Sequence, residues 1–165
     1  MTVVELLVAM ALLAILLVIT VTFYPPVIKI FNTGKDDFDL MIETSTARDI
    51  ISNYLAKAST FTITNQGRMN FTANTDIITP LAENCTFYLY NATDTAWPTT
   101  YPYTSYELRY TEVNIFGSGK TIAHNLNPPP LTSFSRIGNQ IAINLNATKN
   151  SQNFELRFEI HPRNL

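Results

Sequence analysis

Charge is scarce at one end of this chain: its first 28 residues hold one side chain that is charged at neutral pH, Glu5, and the first Lys or Arg is Lys29. A lone ionised carboxylate among apolar neighbours costs several kcal/mol or more, so Glu5 has to be paired, neutralised or functional. Cysteine is nearly absent. The single Cys85 excludes an internal disulfide. The only two histidines, His124 and His161, have no Cys or carboxylate at a metal-ligand spacing, so no cofactor is expected and a catalytic role finds little support. Cations are few and scattered, with 11 Lys and Arg against 13 Asp and Glu and a net charge of −2, so no basic patch marks nucleic acid as the main partner.

Other absences narrow the chemistry further. The N-terminus has no basic segment ahead of its apolar run and no small-residue cleavage site after it, which excludes a cleavable secretory signal of the ordinary type. "DDFD" at 36–39 lacks the loop glycine and the later bidentate Glu of a calcium hand, and reads as a solvated helix face. "GSGK" at 117–120 is too short for a phosphate-binding loop and lies between strand-like runs, where a hairpin turn fits it better.

What is present divides the chain in two. Residues 3–19 are apolar throughout apart from Glu5, a run too long for a strand and long enough to span a bilayer as a helix, for which about 20 residues suffice. "YPP" at 24–26 predicts a break, since Pro25 and Pro26 remove helical donors and disfavour helical geometry in the residue before them. From 27 to 58 the apolar positions Val27, Phe31, Phe38, Met41, Ile42, Ala47, Ile51, Tyr54, Leu55 and Ala58 recur mostly at three- or four-residue steps, which predicts an amphipathic helix.

Beyond residue 59 the period changes to two. "TFTIT" (60–64), "TFYLY" (86–90), "SYELRYTEV" (105–113), "QIAINL" (140–145) and "NFELRFEI" (153–160) alternate or are rich in β-branched and aromatic residues, and turn compositions separate them. The Thr-, Tyr- and Pro-rich stretch 93–106 reads as a long surface loop. The expected fold class is α+β: a hydrophobic helix over 1–26, an amphipathic helix over 27–59 and a β-rich globular domain over 60–165, its antiparallel sheet packed on the second helix. Four Asn-x-Ser/Thr triplets, at Asn70, Asn84, Asn91 and Asn146, are candidate glycan acceptors, although a chain this rich in Asn, Thr and Ser would hold about three by chance.

"MTVVELLVAMALLAILLVIT" resembles the mature N-terminus of type IV pilins and of the related pseudopilins of type II secretion, through a hydrophobic first residue, Thr2, Glu5, Leu6, Leu7 and an unbroken apolar continuation. A long helix followed by a β-rich domain is the plan of the same family. The segment from "TIAHNLNPPPLTSF" to "FELRFEIHPRN" is more weakly similar to the C-terminal part of minor pilins and J-type pseudopilins. The chain departs from the commoner pattern in having Met1 in place of Phe, Ala14 in place of a frequent Gly, a later proline pair and no C-terminal disulfide.

The resemblance implies a leader removed just before Met1, an N-methylated Met1 amine, and Glu5 paired with the Met1 amine of a neighbouring subunit. It implies a structural subunit rather than an enzyme. The partners would be identical subunits, a prepilin peptidase and an inner-membrane assembly machinery, with the chain moving from the membrane into an extracellular filament. Adhesion, motility, DNA uptake and secretion all use that architecture. The alternatives are a minor pilin or J-type pseudopilin and, from another class, a monomeric membrane-anchored binding domain.

Overall fold

The computed structural model of the chain describes residues 2–74, 82–112 and 115–162. One helix, α1 (Val3–Ala56), leads into eight strands: β1 (Ala58–Asn65), β2 (Arg68–Asn74), β3 (Ala82–Tyr90), β4 (Tyr106–Thr111), β5 (Lys120–Leu126), β6 (Ser133–Ile137), β7 (Gln140–Lys149) and β8 (Gln152–Ile160). The chain forms two compact units, residues 1–36 and 37–165.

The first unit is helix alone. Its side chains from residue 2 to 32 are all exposed, and they include more than a dozen Val, Leu and Ile residues. Thr20 and Thr22 do not interrupt the apolar surface, because their hydroxyls donate back to the carbonyls of Leu16 (2.9 Å) and Val18 (2.7 Å). The break expected at Pro25 and Pro26 does not occur, and the helical backbone runs through both. Proline's fixed φ already lies in the helical range, so two adjacent rings remove only the bonds that would reach the carbonyls of Val21 and Thr22. The cost, about 3 kcal/mol per interior proline, is local.

In the second unit the helix packs on the sheet through Leu40, Thr44, Ala47, Ile51 and Leu55, at successive steps of four, three, four and four residues and all fully buried. Thr44 tolerates the core because its hydroxyl donates to the Leu40 carbonyl at 2.7 Å. This stripe corrects the expected one. Ala47, Ile51, Leu55 and Ala58 do face the core, but Val27, Phe31, Phe38, Met41 and Ile42 are exposed, and the inward positions between 38 and 44 are Leu40 and Thr44. The Tyr54 ring lies 4.3 Å from that of Tyr110 and 6.3 Å from that of Phe87, and Phe87 stacks on Phe71 at 5.1 Å. A further tie is the Lys149 ammonium, 3.0 Å from the Asp39 carboxylate.

The strands form one antiparallel, curled sheet in the order β1-β2-β3-β4-β5-β7-β6, with β8 on the other edge of β7. Strand β6 pairs with the first half of β7, and β5 meets its second half at Leu126 and Ala147. The curl brings β6 back toward the start of the sheet, where the Phe134 N–H donates to the Gln66 carbonyl at 2.8 Å and Arg136 stands 5.0 Å from the Phe61 ring. Strands β2, β5 and β6 were not among those expected. Gly117, Ser118 and Gly119 of "GSGK" lie in the connection between the antiparallel pair β4 and β5, with Gly117 at a φ of 81°, and Lys120 opens β5.

Candidate functional site

At the N-terminal end of α1, Thr2 precedes the first helical residue and Glu5 lies in the first turn. The Thr2 backbone N–H donates to Glu5 Oε2 at 2.7 Å, and the Glu5 backbone N–H donates to Thr2 Oγ1 at 3.4 Å. Two backbone donors that the helix leaves orphaned are thereby satisfied reciprocally, the arrangement known as a capping box. The carboxylate also sits at the positive end of the helix dipole. Lys29, the first Lys or Arg, is 24 residues further on, about 36 Å along a helix, and is out of reach as a partner.

The sequence reading singled out Glu5 but missed Thr2 as its partner. The signal was available, since T-x-x-E ahead of an apolar run is the sequence signature of this cap. Met1, the expected site of methylation and of pairing with Glu5, lies outside the described residues.

The four Asn-x-Thr triplets are not equivalent. Asn146 is only 3% exposed: its side-chain oxygen accepts from Asn127 Nδ2, and its backbone exchanges bonds with the Thr132 hydroxyl at 3.0 and 3.2 Å. A glycan on its amide would have no room, so Asn146 is a structural residue holding the 127–132 segment to β7 and is withdrawn as an acceptor. Asn70 is engaged through both ends of its amide, donating to Thr64 at 3.3 Å and accepting from Thr86 at 3.0 Å. Asn91 folds onto its own loop, its oxygen accepting from the Thr93 N–H (3.0 Å) and its nitrogen donating to the Ser105 carbonyl (3.0 Å). Asn84 is exposed on β3 and accepts only a long bond from Thr72, at 3.5 Å.

The outer face of β2–β4 carries an aromatic cluster that sequence reasoning did not find. Tyr88, Tyr90, Trp97 and Phe116 meet there with ring centroids 4.8–6.4 Å apart, and Arg68 and Arg109 lie 3.7 Å over Trp97 and Tyr90. The loop expected over 93–106 is pinned by this cluster and by Asn65, whose amide donates to the Pro98 carbonyl (3.0 Å) and accepts from the Tyr101 hydroxyl (2.7 Å). Burial raises Tyr101 to about 12, against an ordinary 10.0.

Elsewhere among the described residues the titratable groups pair locally rather than converging on one site. Burial alone would push the Glu107 carboxyl up, but the Arg109 guanidinium (2.8 Å), Thr121 and His124 hold it below the ordinary carboxylate value. Cys85 is buried and accepts from the Tyr110 hydroxyl at 3.3 Å. Among the described residues no group of three or more His, Cys, Asp or Glu is placed to hold a metal ion.

The dominant feature is therefore the apolar helix itself. It is long and apolar enough to cross a membrane, with a mean hydropathy of 3.0 in its most apolar window and none of that window buried. No protein-family model, curated protein or solved structure matches the chain.

Proposed function

We propose that the chain is a pilin-type structural subunit that polymerises through its N-terminal helix into an extracellular filament, with the β-domains outermost. The observation that carries this reading is the stretch of α1 ahead of Lys29, apolar around its circumference and exposed throughout, with one carboxylate near its start. A helix of that kind needs lipid or other helices around it. Burying a Leu, Ile or Val side chain is worth roughly 1.5 to 3 kcal/mol relative to water. In a bilayer these residues are already shielded, so the net drive toward a polymer comes from close packing and from pairing at Glu5 rather than from that sum.

Lipid is the first covering and identical helices the second. In the packed state Glu5 keeps Oε2 on the Thr2 N–H and offers its other oxygen to the Met1 amine of a neighbour, two charges that are costly apart and tolerable together. Such a pair also sets axial register, which a uniformly apolar helix cannot do.

The capping box favours a second reading, a membrane-anchored monomer. With Thr2 already satisfying part of the carboxylate, Glu5 requires no second chain in order to sit near the membrane surface. Glu5→Ala separates the two. As a filament subunit the variant still enters the membrane but yields few or no filaments, and Glu5→Gln, which keeps size and loses charge, is similarly impaired. Normal piliation by Glu5→Ala would refute the pairing on which the polymer reading rests.

A further inference from the structure

Strand β8 pairs only with β7, so its other edge, nine residues long, carries no strand among the described residues. Burial changes abruptly there. In β7 the inward side chains Ile143, Leu145 and Ala147 are fully buried, while their direct β8 partners Phe158, Leu156 and Phe154 are only partly buried, Phe154 and Phe158 packing on the margin of the core. The outward side chains of β8, Glu155, Arg157 and Glu159, are exposed. An open edge with apolar residues on one face is a template for another strand unless something covers it.

The order of residues along β8 says which strand fits. Around Leu156 the sequence is self-complementary: Phe154 and Phe158 stand two residues to either side, and Glu155 and Arg157 one residue to either side. In an antiparallel pairing of two such edges about a two-fold axis at Leu156, each Glu155 falls opposite the other copy's Arg157. Each Phe154 likewise falls opposite the other copy's Phe158, and Leu156 meets its own equivalent. Every outward charge pair is then attractive and occurs twice, and the partly buried inward residues cover one another's remaining exposed surface. A shift of the axis to Arg157 would instead place Arg opposite Arg and Glu155 opposite Glu159, so the charges select the register as well as the partner.

We infer that the β8 edge is a self-association surface that pairs two copies of this chain, antiparallel and centred on Leu156. The inference does not depend on the polymer reading, which rests on the helix.

The test uses the full chain in detergent micelles, with protein mass read by sedimentation and register read by disulfide trapping. The unmodified chain is expected to give a species of twice its 18.6 kDa protein mass. Glu155→Arg and Arg157→Glu, singly, turn two attractive pairs into two repulsive ones and should weaken that species about tenfold or more. The double exchange should restore it. A Leu156→Cys chain should cross-link to itself, because directly opposite residues in an antiparallel pair lie within disulfide reach, whereas Asn153→Cys, set opposite Glu159, should not. Buried Cys85 does not compete. Absence of the double-mass species, survival of that species in both single variants, failure of the double exchange to restore it, or equal trapping at 153 and 156 would each overturn the proposal. Helix-mediated association alone leaves all five β8 variants alike.

Discussion

Thr2 and Glu5 bond each other across the first turn of the helix, with the Thr2 N–H on Glu5 Oε2 at 2.7 Å and the Glu5 N–H on Thr2 Oγ1 at 3.4 Å. A carboxylate in an otherwise apolar run thus has a use within its own chain. The cap accounts for the position of Glu5 as well as its presence, because only the third helical residue can reach back to the residue ahead of the helix. The cap uses one of the two carboxylate oxygens, Oε2.

Removing the Thr2 hydroxyl tests the cap. Thr2→Val keeps the shape of the side chain but leaves the Glu5 N–H without its acceptor, at a cost of about 0.5–2 kcal/mol. Amide exchange at residues 4–6 of the detergent-solubilised chain should accelerate several-fold, and Thr2→Ser should restore the slow rate. Equal exchange in all three chains would mean that the hydroxyl contributes nothing.

Asn146 should carry no glycan, whatever occupies Asn84. Tryptic peptides containing Asn146 are expected at their unmodified mass. Asn146→Ala removes one of the two acceptors of Asn127 Nδ2, leaving Thr148 Oγ1 at 2.8 Å, and should cost about 1–2 kcal/mol, read as a lower urea midpoint.

Gly67 turns between β1 and β2 directly beneath Tyr101. A Cβ there would lie 2.2 Å from the Tyr101 hydroxyl, which is itself tied to Asn65. Gly67→Ala should therefore displace the ring and destabilise the domain by about 1–3 kcal/mol. The change should be visible as increased proteolysis within 91–105.

Alkaline pH should weaken the domain through the same tyrosine. Its value is raised by burial from 10.0 to about 12, so the folded chain holds the proton more tightly than the unfolded chain does. The stability linked to it is complete below pH 10 and is lost as pH rises from 10 toward 12. Burial also raises Tyr106 and Tyr110, so Tyr101→Phe should make the alkaline loss shallower without abolishing it. An unchanged slope in that variant would place the titration elsewhere.

The N-terminal helix could be read because its signal is redundant: length, composition and the lone Glu5 all agree. Strands β3, β4, β7 and β8 announce themselves through runs such as "TFYLY" and "FELRFEI", whereas β5 and β6 put few large apolar residues on the core face, and β2, which does alternate Met69, Phe71 and Ala73 into the core, sets them among Asn70 and Asn74, a residue type depleted in strands. In β6 only Phe134 is buried, and β5 is irregular where Asn125 takes a positive φ of 55°. The core stripe of the helix was misread for a related reason. Phe38, Met41 and Ile42 carry more apolar surface than Thr44, yet the core takes Thr44, whose hydroxyl is satisfied within the helix. Periodicity alone does not say which of two apolar faces meets the sheet. The pinned loop 91–105 was legible as a loop, but its fastening by Arg68, Trp97 and Asn65 depends on pairings 29 and 33 residues apart in sequence, which local patterns do not carry.

Electron microscopy of surface material sheared from cells that express the chain, with mass spectrometry of the dominant band, tests the central claim most directly. The filament account expects thin filaments in which this chain is the principal protein, with residues 3–30 shielded inside and the β-domains outside. Finding the chain only as a membrane-held species, with no filament containing it, would contradict that account.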